Sequence, residues 1–128
     1  MTDTDILAIL RLQNAPNIGD VTAKKLISHC GSPAAVFTDK LHQLQKIDGI
    51  GSFTIRGLHD AEHREAAEAE LRYIKDNNIR HSFFTDSDYP AYLKHCIDSP
   101  VLLFKRGNID LEGRKIISIV GTRKMTSY

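Results

Sequence analysis

Near the end of the chain four apolar residues in five, Ile116-Ile117-Ser118-Ile119-Val120, run into Gly121-Thr122-Arg123-Lys124. Each residue type in that turn suits an anionic ligand. Glycine lets the backbone come close to a phosphate, and threonine offers a hydroxyl and an N–H. Arginine and lysine supply charge, arginine in a planar fork that holds two oxygens at once. An apolar run ending in such a turn is how phosphate sites open in α/β proteins, and a run of this kind fits a strand buried on both faces of a parallel sheet. The charge distribution agrees. Residues 1–80 carry 10 Lys/Arg against 11 Asp/Glu, whereas residues 105–124 carry Lys105, Arg106, Arg114, Lys115, Arg123 and Lys124 against only Asp110 and Glu112. A local basic surplus favours an anionic partner, or else marks a solvated surface.

Other chemistries find less support. Cys30 and Cys96 are far apart, the six His are scattered, and no metal-ligand spacing joins them, so neither a zinc site nor a disulfide is expected. No carboxylate pair or nucleophile sits at a recognisable catalytic spacing and no Gly-x-Gly-x-x-Gly occurs, so catalytic residues, a cofactor and a metal are all expected to be absent. No apolar stretch approaches the ~20 residues of a membrane span and no signal-peptide pattern follows Met1, which makes a reducing, cytoplasmic location the expectation. The 41% hydrophobic and 26% charged content of the 128 residues is that of an ordinary globular protein.

A second set of candidate residues lies in the front half. Asn17-Ile18-Gly19 and Gly49-Ile50-Gly51 form an internal repeat with an offset of 32 residues, which also pairs Thr22 with Thr54, Lys24 with Arg56 and Leu26 with Leu58. The pattern resembles the helix-hairpin-helix motif, in which glycines permit unusual backbone angles and let main-chain N–H groups approach a phosphate. Asn17 replaces the first glycine of copy one, and Asn tolerates the left-handed conformation. Lys, common two residues after the second glycine in DNA-binding versions, is replaced by Val21 and Phe53, and Gly57 stands where a later base is common. Copy one keeps Lys24 and Lys25. Gly19, Lys24, Lys25, Gly49 and Gly51 are therefore candidates for secondary phosphate contacts. The competing reading is that the two hairpins pack a small helical domain or face another protein.

Periodicity and caps define the helices and strands around these residues. A first helix, capped by Thr4 or Asp3, runs to about Asn14. A second spans Asp20 to Cys30, closed by Gly31 as a left-handed residue. Ser32-Pro33 starts a short third helix, about Asp39 to Lys46 forms a fourth, and an Ala- and Glu-rich helix runs from about Leu58 to Asn77. Asp60/Arg64 and Glu68/Arg72 are expected ion pairs along that last helix. From Ile79 the grammar changes to strands: Ile79–Thr85, Val101–Phe104 and Lys115–Val120, with a short helix from Tyr89 to about Cys96 and a polar turn through Gly113. The expected fold is α+β: an all-α domain over residues 1–78, then the opening strands of an α/β domain over 79–128.

Two stretches carry a family resemblance. Asp88-Tyr89-Pro90, Leu93, Ile97-Asp98, Pro100, Leu102 and Gly107 resemble a signature of the bacterial DNA-processing protein DprA (Smf) family. Ile119 to Arg123 with Thr126 and Tyr128 resembles that family's second motif. The helical front resembles its SAM-like domain with helix-hairpin-helix character, and residues 79–128 resemble the start of its extended Rossmann-like domain. The resemblance implies a non-enzymatic protein that binds single-stranded DNA, protects incoming strands in natural transformation, helps load the RecA recombinase and forms a homodimer when full length. It implies that Gly121, Thr122 and Arg123 form a DNA-contacting turn, with Lys124 screening the same strand, and that the Tyr-Pro and Asp-x-Pro residues shape the fold. On this reading the chain is the front of a larger protein, and residues 1–128 alone bind DNA weakly. Two alternatives remain open: a nucleotide-processing Rossmann-like enzyme, and a helical protein-interaction module without its own DNA site.

Overall fold

A computed structural model describes residues 1–108, 110–112 and 115–127. Its elements are α1 (Asp3–Asn14), α2 (Asp20–Cys30), α3 (Pro33–Thr38), α4 (Leu41–Leu44), α5 (Ser52–Ile55), α6 (Ala61–Asp76), β1 (Arg80–Phe83), α7 (Ala91–Lys94) and β2 (Leu102–Lys105). Helices with one small antiparallel sheet make an α+β fold, as the sequence predicts. The expected turn at Gly113, the Arg114 charge and the motif residue Tyr128 lie outside the described residues.

The front is a helical layer around one apolar cluster. α1 packs on α6 and α3, and α2 packs on α3 and α1. Ile9, Leu10, Leu12, Leu26, Val36, Leu44, Leu58 and Ala67 are buried there. The same cluster continues into Phe83, Val101 and Leu102, so the sheet leans on the helices. α1 begins one or two residues earlier than expected because Thr2, not Asp3 or Thr4, is the cap. Its Oγ1 accepts from Asp5 N–H at 3.2 Å while the Asp5 carboxylate accepts in return from Thr2 N–H at 3.4 Å, a reciprocal capping box. Asp5 also accepts from Ala34 N–H at 3.3 Å, which ties α1 to the start of α3. Burial works against its charge, but the hydrogen bonds from the Thr2 hydroxyl and the Thr2 and Ala34 N–H groups outweigh it, and the carboxyl sits below its usual range.

Several elements are shorter than their sequence pattern. Asp39 ends α3 in an extended conformation, which delays α4 to Leu41. Residues 56–59 turn instead of beginning α6, and Asp60 caps that helix by accepting from Glu62 N–H at 3.0 Å. Asp60 is thereby taken from its expected partner, and the ion pair on α6 is Arg64 with Glu68 at 2.9 Å.

The strands depart furthest from expectation. β1 and β2 pair antiparallel, Arg80 opposite Lys105 and Phe83 opposite Leu102, where a parallel α/β opening is expected. The connection between them contains one helical turn, α7, too little helix to form the usual crossover of a parallel pair. The third predicted strand, Lys115–Val120, does not form. Ile117, Ile119 and Val120 are 90%, 97% and 91% exposed, not buried on both faces. Apolar alternation favours extension, but a strand exists only through a ladder of hydrogen bonds, and among the described residues the sheet holds only β1 and β2.

Candidate nucleic-acid interface

Gly121 to Lys124 are exposed, and the chain bends at Arg123 and Lys124. Thr122 Oγ1 donates to Lys124 O at 2.6 Å, which folds the backbone back over the length of the motif. A Cβ placed at Gly121 would meet nothing within 4 Å, so the backbone face of this turn is open to a ligand. Arg123 and Lys124 are exposed, and neither enters an ion pair among the described residues. The two cations and the open backbone can meet a phosphate without first breaking an internal contact, whereas the Thr122 hydroxyl would have to leave Lys124 O to do so.

The Tyr-Pro motif behaves in the opposite way. Tyr89 is fully buried, and its hydroxyl donates to Pro100 O at 2.7 Å, closing the loop between α7 and β2. Asp88 accepts from Ser82 Oγ at 2.6 Å on β1 and from Lys105 Nζ at 2.7 Å on β2. The Lys105 hydrogen bond, with that from Ser82, holds the Asp88 carboxyl below its usual range. These residues fix the sheet and its connection; their polar atoms are engaged by other residues of the fold, the Tyr89 hydroxyl in its interior and the Asp88 carboxyl at its surface.

The two turns of the helical front repeat in three dimensions. Asn17 has φ 64° and Gly49 φ 80°, both left-handed. Ile18 and Ile50 are buried, and Gly19 and Gly51 precede α2 and α5 in the same extended conformation. Leu26 and Leu58 are both fully buried. The copies also lean on one another reciprocally. Lys25 Nζ lies 3.3 Å from where a Gly49 Cβ would sit, and a Cβ at Gly57 would lie 3.1 Å from the Pro16 side chain. Lys25 and Gly57 are equivalent under the 32-residue offset, so equivalent positions, Lys25 within α2 and Gly57 just after α5, each lie against the entry to the other copy's turn. Gly57 is small because Pro16 occupies that space.

Surroundings separate the copies. In copy one Asp20 Oδ1 accepts from Val101 N–H at 3.0 Å, and Lys24 Nζ donates to Ser99 Oγ at 2.8 Å and to Ile97 O at 3.2 Å. Lys24 also lies 5.4 Å from the centroid of the Phe84 ring. The sequence pattern selects Lys24 for charge and passes over Asp20. The signal was present in their spacing: four residues apart on α2, they share a helix face. Their partners, more than 70 residues away, were not readable from that face. Of the secondary candidates, the structure brings together Lys25 and Gly49, turns Lys24 inward, and leaves Gly51 exposed.

Among the described residues no group of three His, Cys, Asp or Glu could hold a metal ion, and no helix is long and apolar enough to cross a membrane. No curated protein and no solved structure is significantly similar to the chain. Residues 80–128, which hold the Tyr-Pro motif and the Gly121 turn, match the family described as DNA recombination-mediator protein A, and over that segment the resemblance read from the sequence holds.

Proposed function

We propose that the chain supplies part of a single-stranded-DNA-binding surface of a DprA-type recombination mediator, with Arg123 as the leading contact. The observation that carries this reading is the exposed Gly121–Lys124 bend, open at its backbone and bearing two cations without ion-pair partners among the described residues, inside the family-matched segment. Arg123 would hold a phosphate through its fork or stack on a base. Thr122 and the Gly121 backbone would approach the same strand, and Lys124 would add screening charge. The reading also takes residues 1–78 as a SAM-like domain with helix-hairpin-helix turns and residues 79–128 as the start of a Rossmann-like domain. It further proposes a cytoplasmic, non-catalytic protein that helps load RecA and forms a homodimer when full length.

The test is fluorescence anisotropy of a labelled oligo-dT with the 128-residue chain across a salt series. Weak binding is expected, with a dissociation constant on the order of 10⁻⁴ to 10⁻⁶ M, that falls as salt rises. Arg123→Ala should weaken it and flatten the salt slope by about 0.7, the contribution of one phosphate contact on a single strand. Equal binding by wild type and Arg123→Ala would remove Arg123 from the surface. No binding at low salt would remove the DNA reading for this chain.

A further inference from the structure

The helical front holds one turn motif twice, and the molecule uses the copies differently. Copy one is closed: Asp20 and Lys24 are committed to Val101, Ile97 and Ser99. Among the described residues copy two carries no such cover. Phe53, two residues beyond Gly51, is 63% exposed, whereas its equivalent Val21 is partly covered. A large aromatic ring so exposed loses the burial that normally accounts for its presence. Arg56 Cζ stands 6.0 Å from the centroid of that ring. Lys25, also exposed, reaches the Gly49 end of the same turn from α2. Residues 46–56 carry the cations Lys46 and Arg56 and one acid, Asp48, and Lys25 adds a cation from α2. An exposed ring with cations on the same surface is the arrangement by which single-stranded nucleic acid is held without sequence preference: the ring takes a base face and the cations take the flanking phosphates.

We propose that copy two is a base-stacking site for single-stranded DNA, in which Phe53 carries an unpaired base and Arg56 and Lys25 hold the adjoining phosphates. This rests on the single-stranded-DNA function proposed for the Gly121 bend and extends it to the helical front, through residues outside the family-matched segment. The occupant is a nucleic acid strand because Arg56 beside Phe53 and Lys25 at the Gly49 end of the turn complement phosphate. A duplex would keep its base faces stacked and present none to the ring.

The chain contains no tryptophan, so Phe53→Trp introduces a single fluorescent reporter at an exposed position. Titration with oligo-dT should quench the indole over the concentration range in which the anisotropy of labelled oligo-dT rises. Phe53→Ala should weaken binding about tenfold, within the range expected for one stacked base, and Phe53→Tyr should retain it. Arg56→Ala and Lys25→Ala should each weaken binding and reduce its salt dependence. If anisotropy rises while the indole stays silent and Phe53→Ala binds like wild type, the stacking site falls and the Gly121 surface stands. If anisotropy does not rise at all, both fall. An indole emission that shifts to the blue with protein concentration alone, with no quench by oligo-dT, would make this face a contact between copies of the chain and overturn the proposal.

Discussion

The turn at Asn17–Gly19 and the turn at Gly49–Gly51 have the same backbone and opposite fates. Both pass through a left-handed residue, bury an isoleucine and open a helix, yet the helix after the first is tied to residues 97–101 through Asp20 and Lys24, and the helix after the second leaves Phe53 and Arg56 exposed. The family-matched segment repeats the contrast. Its Tyr-Pro motif is consumed in holding β1, α7 and β2 together, and its Gly121 motif is open. Local sequence sets the shape of a motif. What packs on the motif decides whether it holds the molecule together or meets a ligand.

The core residues that make the two copies alike offer the most severe challenge to their equivalence. Leu26 and Leu58 are related by the repeat and both fully buried. Leu26→Ala and Leu58→Ala should each cost about 2–5 kcal/mol in urea denaturation, the range for deleting a buried leucine side chain. Values differing by more than about 2 kcal/mol would mean that the repeat is one of backbone shape alone, with unequal packing beneath it. Next comes the left-handed residue itself. Gly49→Ala forces a Cβ into φ 80° and toward Lys25 Nζ, whose flexible end can move aside, so the backbone term dominates at about 1–2 kcal/mol. Asn17→Gly should be neutral or stabilising by up to about 1 kcal/mol, since φ 64° suits glycine at least as well. A destabilising Asn17→Gly would show that the Asn17 side chain contributes something the turn geometry does not explain.

Those turns also show where the sequence was sufficient. α2 spans Asp20–Cys30 as its pattern predicts, because Gly19 and Gly31 set both ends locally and Gly31 takes φ 90°. Ser32-Pro33 starts α3 for the same reason. The failures share a cause too: each depends on a distant partner. Pro16 keeps position 57 a glycine, because a Cβ there would press on it, and glycine is a poor helix residue; Lys24 is drawn inward by Ile97 and Ser99. Ile116 to Val120 have every local mark of a strand, but among the described residues no strand pairs with them. At the candidate interface, residue types in the Gly121 bend were legible as phosphate-seeking. The use of Phe53 was not, because exposure is a property of the fold.

A smaller effect bears on the contrast between the closed and open copies. Lys24→Ala removes two hydrogen bonds that join α2 to the loop before β2, and should cost about 1 kcal/mol, discounted for the partial exposure of the lysine. Arg56→Ala, at the equivalent position of the open copy, should lie within about 0.5 kcal/mol of wild type, as for an exposed surface change. Equal losses in thermal or urea unfolding would erase the distinction on which copy two is assigned to DNA.

The smallest effect belongs to the closed motif behind the front. Asp88 is an acceptor for Lys105 and Ser82, and its carboxyl is held below the ordinary value of 3.8. A carboxyl depressed in the folded state binds its proton less readily there than in the unfolded chain. Its contribution is therefore complete above the unfolded value, at about pH 5 and higher, and is lost as pH falls through the lowered folded value. The group is largely solvated, so the loss is modest. Asp88→Asn keeps the side-chain shape but cannot take up that proton. Between about pH 6 and pH 2 its stability should fall less steeply than that of wild type, with the two curves converging at the acid end. Parallel curves would show that Asp88 contributes through shape alone, and that the charge pairing seen across β1 and β2 adds nothing to the motif that the Tyr89 hydroxyl and the sheet do not already provide.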